Sequence, residues 1–483
     1  MISWPTIIKL LGYTTIGISV CLIFPLGVAL YLGDSGAYPL FFSLLAGTLA
    51  GGGAIFLWRP EPHEITRKEG VLFVVLAWLT AVFIGALPYW FSPNFTGLTD
   101  AFFESMSGYT TTGATILTDI EGLPASLLFW RALTHWLGGM GIIVLGIAIL
   151  PLLGAGGTAL YRAEFSGARS EKLKPRIAET AMALWKIYAG FTLAEYVALR
   201  FAGMGPFDAV CHSFATMATG GFSTRAASIE AYGSPLIEYI IILFMLIAGI
   251  NFTLHYRFLV KREIKVFFAD SEGRAYLLIG LACTIAVTIT LLLTLDRSLA
   301  DSFRLAAFQV VSIMTTTGFS STDFELWAPF AQFLLLGLMF VGGCTGSTAG
   351  GMKVSRIMLL RQVVAREFRR LTERRGVFSV WKDGRAVQES TISSLLNLVY
   401  LALIVNFSAC LILTATGVDL LTTVAAVTAS MFNIGPGFGD VGATDNYGHL
   451  PGLAKWTLSF CMLAGRLEFY TALVIFSRSF WRK

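Results

Sequence analysis

Four short polar runs in this chain hold the residue types with which a backbone can bind a cation. They read YTTTGATI around Gly113, MATGGFST around Gly221, MTTTGFSS around Gly318 and FNIGPGFG around Gly435. Glycine lets a backbone turn its carbonyls as required, and rings of carbonyl oxygens can replace the water around a cation. The runs recur at intervals of roughly 100 residues, a period that marks repeated units. Each follows a segment opened by Asp100, Asp208, Asp301 or Asp419, and an acidic residue there suits the N-terminus of a short helix. Two copies share wording, DAFFESMSGYTTTGAT and DAVCHSFATMATGGFST. Taken singly, such a run is an ordinary turn between helices. Four at matching positions read as copies of one unit whose turns meet on an axis.

A second constellation is GGCTGSTAGG, made of Gly342, Gly343, Cys344, Thr345, Gly346, Ser347, Thr348, Ala349, Gly350 and Gly351. It interrupts an apolar run with small and hydroxylated residues, and each Gly costs a helix about 1 kcal/mol, so a break is expected. Gly342, Gly346 and Gly350 also stand four apart, which leaves a helix-packing face as the alternative. Arg466 lies in the last apolar run. An intramembrane arginine is costly and faces protein or a water-filled cavity; a pair with Glu468 is the alternative, weakened because residues two apart on a helix face different ways. Lys353 either contributes similarly or snorkels from a helix end. His135, Glu195, Asn251 and His255 lie in or near apolar spans and are either a proton path or satisfied interhelical residues.

The elements that must carry these residues are membrane helices. Of 483 residues, 55% are apolar and 13% charged, and the mean hydropathy is +0.71, too few charges to cover a soluble body. Apolar runs long enough to cross about 30 Å of hydrocarbon stand near Leu10 to Leu32, Tyr38 to Trp58, Val71 to Phe91, Ser126 to Leu150, Ala181 to Phe201, Pro235 to Leu254, Ala275 to Leu295, Phe330 to Met358, Ile392 to Ala415 and Leu453 to Phe476. The polar runs follow the third, fifth, seventh and ninth of them. The expected architecture is all-α and integral to the membrane: two leading helices (residues 1–69), then four parallel units of helix, short pore helix, turn and helix. Those units span residues 70–178, 179–273, 274–390 and 391–483, and parallel units can close around a pseudo-fourfold pore.

Basic residues assign the sides. Loops with Arg59, Arg67 and Lys68, with Arg162, Arg169, Lys172, Lys174 and Arg176, with Arg257, Lys261, Arg262 and Lys265, and with Arg361 through Arg385 are expected to be cytoplasmic, as are both termini. The loops holding the Thr/Gly runs carry Asp100, Glu104, Asp119, Glu121, Asp323, Glu325, Asp440 and Asp445 and face outward. The net charge of +5 is therefore a topology signal, and a nucleic-acid partner is excluded for want of a basic soluble domain. Six scattered cysteines give no disulfide frame or zinc site. GAGGTAL at Gly154 is no phosphate-binding loop and GPGFG lacks the context of a dinucleotide site, so no enzyme is expected. A broken-helix secondary symporter for a small solute stays open beside the ion pore, since it too uses unwound segments.

Longer motifs carry a resemblance over nearly the whole chain. HWLGGMGIIVLGIAILP from His135, LYRAEFSG and KPRIAETA in the following loop, HSFATMATGGFST from His212, FVGGCTGSTAGGMKVSRI from Phe340 and GRLEFYTALVIF from Gly465 resemble the Trk/Ktr/HKT potassium transporters, most closely the bacterial TrkH/TrkG branch. That resemblance implies K⁺ uptake through a multi-pass pore in the bacterial inner membrane, a homodimer, and a cytoplasmic TrkA-type ring that binds nucleotide (ATP/ADP or NAD) and controls gating. No cofactor would be held by this chain itself. The implied filter is Thr110, Thr111, Thr112 and Gly113; Ala218, Thr219, Gly220 and Gly221; Thr315, Thr316, Thr317 and Gly318; and Phe432, Asn433, Ile434 and Gly435, with backbone carbonyls as ligands for K⁺. In that superfamily Ser at the first filter glycine accompanies Na⁺ transport; Gly at all four positions favours K⁺. The second and fourth runs depart from Thr-Thr-Thr-Gly, which implies looser discrimination among K⁺, Rb⁺ and Na⁺. Gly342 to Gly351 would be an intramembrane gating loop below the filter, with Arg466 beside it. The basic stretch from Arg361 to Arg385 and the loop from Tyr161 to Arg176 are candidate contacts for the ring. Whether flux is passive, H⁺-coupled or Na⁺-coupled stays open.

Overall fold

The computed structural model describes residues 2–58, 65–148, 173–373 and 376–482, which are predominantly helical. Among them, five stretches of 21 to 29 residues are long and apolar enough to cross a membrane: Trp4–Leu32, Ala37–Leu57, Arg67–Trp90, Ser271–Thr294 and Glu389–Ala415. Along Ser271–Thr294 the exposed residues include Leu278, Leu281, Ile285, Ile289 and Leu293, whereas Tyr276, Gly280, Thr284, Val287 and Leu291 are buried. A helix in water exposes its polar face. Here the exposed face is the apolar one, as hydrocarbon requires.

After the leading helices, the order long helix, short helix, second helix recurs. Arg67–Trp90, Leu98–Tyr109 and Ala125–Ala148 come first; then Leu173–Phe201, Pro206–Met217 and Pro235–Ala248; then Ser271–Thr294, Leu299–Met314 and Pro329–Met339; then Glu389–Ala415, Leu420–Met431 and Gly452–Arg466. Local chemistry starts these helices where the sequence says it should. Thr66 and Glu69 form a capping box, with the Glu69 carboxylate accepting from the Thr66 N–H at 2.8 Å and from the Ser3 N–H at 2.7 Å. Asp419 caps its short helix by accepting from the Thr422 N–H at 3.0 Å, while Asp100, Asp208 and Asp301 sit in the first turns of theirs.

Three expected spans are broken. Pro235–Ala248 meets Phe252–Leu259 at 98°, where the Asn251 side chain caps the second piece by accepting from the Thr253 N–H. The run from Phe330 to Met358 is helical only to Met339 and resumes at Val354. The last run stops at Arg466, with Glu468 and Phe469 both at positive φ (57° and 56°). The all-α expectation also needs one correction: Trp381–Lys382 pairs antiparallel with Arg385–Ala386. Asp383 and Gly384 at φ 48° and 77° are the Asp-Gly pair such a tight hairpin demands. The LYRAEFSG run, most of the Tyr161 to Arg176 loop, GAGGTAL, and Arg59, Arg374 and Arg375 lie outside the described residues.

Candidate functional site

The four short helices end in one conformation. The residue two before each glycine is left-handed: Thr111, Thr219, Thr316 and Asn433 at φ 53°, 55°, 56° and 56°. Each N–H pattern is also the same. Thr111 donates to Gly108 and Thr112 to Ser107; Thr219 donates to Thr216 and Gly220 to Ala215; Thr316 donates to Ile313 and Thr317 to Ser312; Asn433 donates to Ser430 and Ile434 to Ala429. This paired closure is the Schellman ending, normally built on Gly or Asn. Three β-branched threonines in the left-handed region are outliers, and strain repeated at matching positions marks function.

The turns touch in cyclic order. Gly113, Gly221, Gly318 and Gly435 have φ of 83°, 80°, 80° and 99°. A Cβ on Gly113 would stand 2.1 Å from the Gly220 carbonyl oxygen, one on Gly221 2.1 Å from that of Thr317, one on Gly318 1.9 Å from that of Ile434, and one on Gly435 2.6 Å from that of Thr112. Each turn thus lays a carbonyl against the next turn's glycine, and the fourth returns to the first. No side chain fits at these glycines without moving a neighbour's carbonyl. The negative C-terminal ends of the four short helices meet here.

The residues beside the turns differ. Gly220 replaces a threonine because the His135 ring occupies that space: a Cβ there would be 2.2 Å from Nδ1. His135 also stacks on Phe222 at 4.1 Å between ring centres. In the first and third turns the hydroxyls of Thr110 and Thr112, and of Thr315 and Thr317, are 2.8 Å apart. In the fourth, Asn433 Nδ2 donates to Thr112 Oγ1 at 2.9 Å and to the Met462 carbonyl at 3.0 Å. Tyr447 donates its hydroxyl to the Gly435 carbonyl at 2.7 Å. Sequence reasoning missed Tyr447 and Arg131, and placed Glu104 among outward loop acids. Glu104 is instead buried in its short helix, 2.8 Å from Arg131 Nε. The signal for Arg131 was present, a lone cation inside an apolar run.

Gly342 to Gly351 form a loop packed against three of the turns. Gly342, Gly346 and Gly351 have φ near +75° (76°, 76° and 74°), which settles the loop against the alternative of a packing helix. The Gly350 N–H donates to Thr316 Oγ1 at 2.6 Å, the Gly351 N–H to the Phe432 carbonyl at 3.2 Å, and Thr348 Oγ1 to the Met217 carbonyl at 3.0 Å. The loop is also tied to the bend at Gly249, whose carbonyl accepts from the Cys344 N–H at 2.8 Å. Glu272 anchors it as well, accepting from the Thr345 N–H at 2.6 Å. Within the loop, Ser347 Oγ donates to the Cys344 carbonyl.

Arg466 is 3% exposed and donates to the Thr348 carbonyl at 2.9 Å and the Gly138 carbonyl at 3.4 Å. Glu468 pairs with Arg356 at 2.7 Å rather than with Arg466. Lys353 turns inward, donating to the Ala349 carbonyl, so it does not snorkel. His255 bonds the Ile247 carbonyl at 2.9 Å across the bend, and Asn251 serves as a local cap. Glu195 is fully buried, beside Thr216 of the second short helix. Among the described residues no group of three or more His, Cys, Asp or Glu could hold a metal ion.

A family model described as "TrkH: Cation transport protein" matches residues 41–483. The chain is 45% identical over 485 residues to the Trk system potassium uptake protein TrkH of Salmonella typhimurium, covering 99% of each. It is 35% identical over 461 residues to the Trk system potassium uptake protein TrkG of Escherichia coli K12, covering 95% of this chain and 94% of that one. It superposes on the crystal structure of the potassium transporter TrkH from Vibrio parahaemolyticus with a TM-score of 0.92 at 40% identity, covering all of both chains.

Proposed function

This chain belongs to the TrkH family of cation transport proteins, and from that premise we propose that it is the pore subunit of a potassium-uptake system, conducting K⁺ between four re-entrant turns. The observation that carries this reading is the cyclic contact of four identically bent turns, each glycine against the next turn's carbonyl. In it, the carbonyls of Thr110 to Gly113, Ala218 to Gly221, Thr315 to Gly318 and Phe432 to Gly435 replace the hydration of K⁺, and the helix ends supply negative potential. Three of the four turns are bonded from one side by the Gly342 to Gly351 loop, which acts as the gate. Arg466 holds that loop by the Thr348 carbonyl and opposes cations with its charge.

The remaining parts of the reading follow from the family. The chain sits in the bacterial inner membrane with both termini cytoplasmic, works as a homodimer, and is controlled by a TrkA-type ring that carries the nucleotide. Phe252–Leu259 follows the bend at Gly249 and Val354–Thr372 follows the loop, and both carry basic residues, Arg257 in the first and Arg361, Arg366, Arg369 and Arg370 in the second, a route by which a ring could pull on the loop.

Tracer Rb⁺ uptake into proteoliposomes tests the proposal. The purified chain is reconstituted with and without its ring partner, under a K⁺ diffusion potential and no pH or Na⁺ gradient. Voltage-driven uptake blocked by excess K⁺ is the expected result. Uptake that appears only with an added organic solute would overturn it in favour of a symporter.

A further inference from the structure

We infer that Arg131 is a specificity-determining positioning residue, which sets the spacing between the first and second turns by tying their outgoing strands together from behind. This rests on the reading of the turns as the filter. Arg131 is 1% exposed and spends its donors across the seam. Nε reaches Glu104 Oε1 at 2.8 Å, one terminal nitrogen reaches the Ser223 carbonyl at 3.2 Å, and the other reaches Thr115 Oγ1 at 3.2 Å. Thr115 lies two residues past Gly113 and Ser223 two past Gly221. One planar group therefore holds equivalent positions of two adjacent turns.

Glu104 completes the clasp from the first short helix. Its Oε2 accepts from the Ile116 N–H at 3.0 Å, and Oε1 from the Thr115 hydroxyl at 2.9 Å. The guanidinium carbon of Arg131 lies 4.0 Å from the centre of the Phe222 ring, the ring on which His135 also stacks. Arg131 and His135, four apart on one helix face, thus both bear on the residue that follows Gly221.

The other seams are bridged by different chemistry. Between the second and third turns, the Ser320 carbonyl accepts from the Ile229 N–H at 3.0 Å; between the fourth and first, the Thr115 carbonyl accepts from the Tyr447 N–H at 2.8 Å. Between the third and fourth, the Gly439 N–H donates to Glu325 at 2.7 Å. A fully buried ion pair is seldom more stable than the apolar packing that could replace it, so stability alone gives no reason for Arg131 and Glu104. Their geometric reach does. Lysine cannot reproduce it, since an ammonium has no planar fork to span two strands.

Arg131→Lys and the double variant Arg131→Met/Glu104→Gln are reconstituted, and the Na⁺-to-K⁺ permeability ratio is read from reversal potentials. Gly113→Ser is run in parallel as the probe of the filter itself. Both Arg131 variants should conduct with a ratio raised at least about fivefold, the factor matching roughly 1 kcal/mol. The double variant, which leaves no lone charge, should also conduct better than Glu104→Gln alone. A wild-type ratio in either Arg131 variant, while Gly113→Ser shifts it, overturns the inference and leaves the filter standing. An unshifted ratio in a conducting Gly113→Ser as well removes both. Failure of both Arg131 variants to assemble would assign the pair to folding and overturn the selective role.

Discussion

Replacing Arg466 with alanine should open the pore in the absence of any partner. The side chain makes one good charge-assisted hydrogen bond to the Gly342 to Gly351 loop, at 2.9 Å to the Thr348 carbonyl, and one long contact to Gly138 at 3.4 Å. A hydrogen bond to a charged group contributes about 1.5–3 kcal/mol, so its loss shifts the closed-to-open equilibrium by roughly 10- to 150-fold. The loop does not fall away entirely, because the bonds from Gly350 to Thr316, from Thr348 to Met217 and from Cys344 to Gly249 remain. A pore open about 1% of the time would then be open roughly a tenth to three fifths of it. The assay is voltage-driven Rb⁺ uptake without the ring partner, at matched reconstitution. Arg466→Lys separates the two roles: it keeps the positive charge but loses the planar reach. Leak in both variants points to the bond, and leak in alanine alone to the charge. Uptake at or below wild type in a correctly assembled Arg466→Ala would refute the account of the gate.

Three further outcomes are expected. Gly113→Ser adds a Cβ 2.1 Å from the Gly220 carbonyl oxygen at a φ of 83°; the second turn must yield, and Na⁺ should permeate better relative to K⁺ in a reversal-potential measurement. Thr316→Val keeps the shape and removes the acceptor for the Gly350 N–H, so partner-free Rb⁺ uptake should rise severalfold, whereas unchanged uptake would deny the loop its hold on the third turn. Asp419→Ala removes the cap of the fourth short helix and should lower stability by about 1 kcal/mol in a thermal melt. The Thr422 hydroxyl and N–H hold the Asp419 carboxyl below its ordinary 3.8. The cap's contribution is thus complete above that value and lost as pH falls through the depressed one, so the difference between the wild-type and Asp419→Ala melts should stay constant in pH down to about 4.

The sequence made the turns legible because glycine and an acidic residue recur at matching positions, and it made the break at Gly342 to Gly351 legible because small residues cover every face of that helix. Arg466 stood out for its charge. The breaks after Ala248 and Arg466 were hidden, since Ile250 and Leu467 read as ordinary apolar residues, and what interrupts the helix is a distant partner: the loop bonds at Gly249 and the Arg356 to Glu468 pair. Glu104 was misread because a loop acid and a buried acid look alike until its cation, Arg131, is found 27 positions away. Propensity would likewise never choose threonine for a left-handed position, where only the ring of neighbouring turns makes the conformation worth holding.

The four turns share a backbone but not their supports, and the difference divides the labour between them. The second, third and fourth are bonded to the loop through Met217, Thr316 and Phe432. The first is fixed instead by the Arg131 and Glu104 clasp, remote from the loop in bonding. If the loop moves to let ions through, three turns lose a hydrogen bond at once and the first loses none. Selectivity in the open state then leans on the first turn and its seam with the second. A pore of four identical units could not separate these roles, because any bond that latched the gate would latch all four turns equally. Fusing the units into one chain frees each to diverge: on the proposed reading the bonds through Met217, Thr316 and Phe432 serve control, while Gly220 under His135, Asn433 across to Thr112 and Arg131 behind Phe222 shape the turns without bonding to the loop.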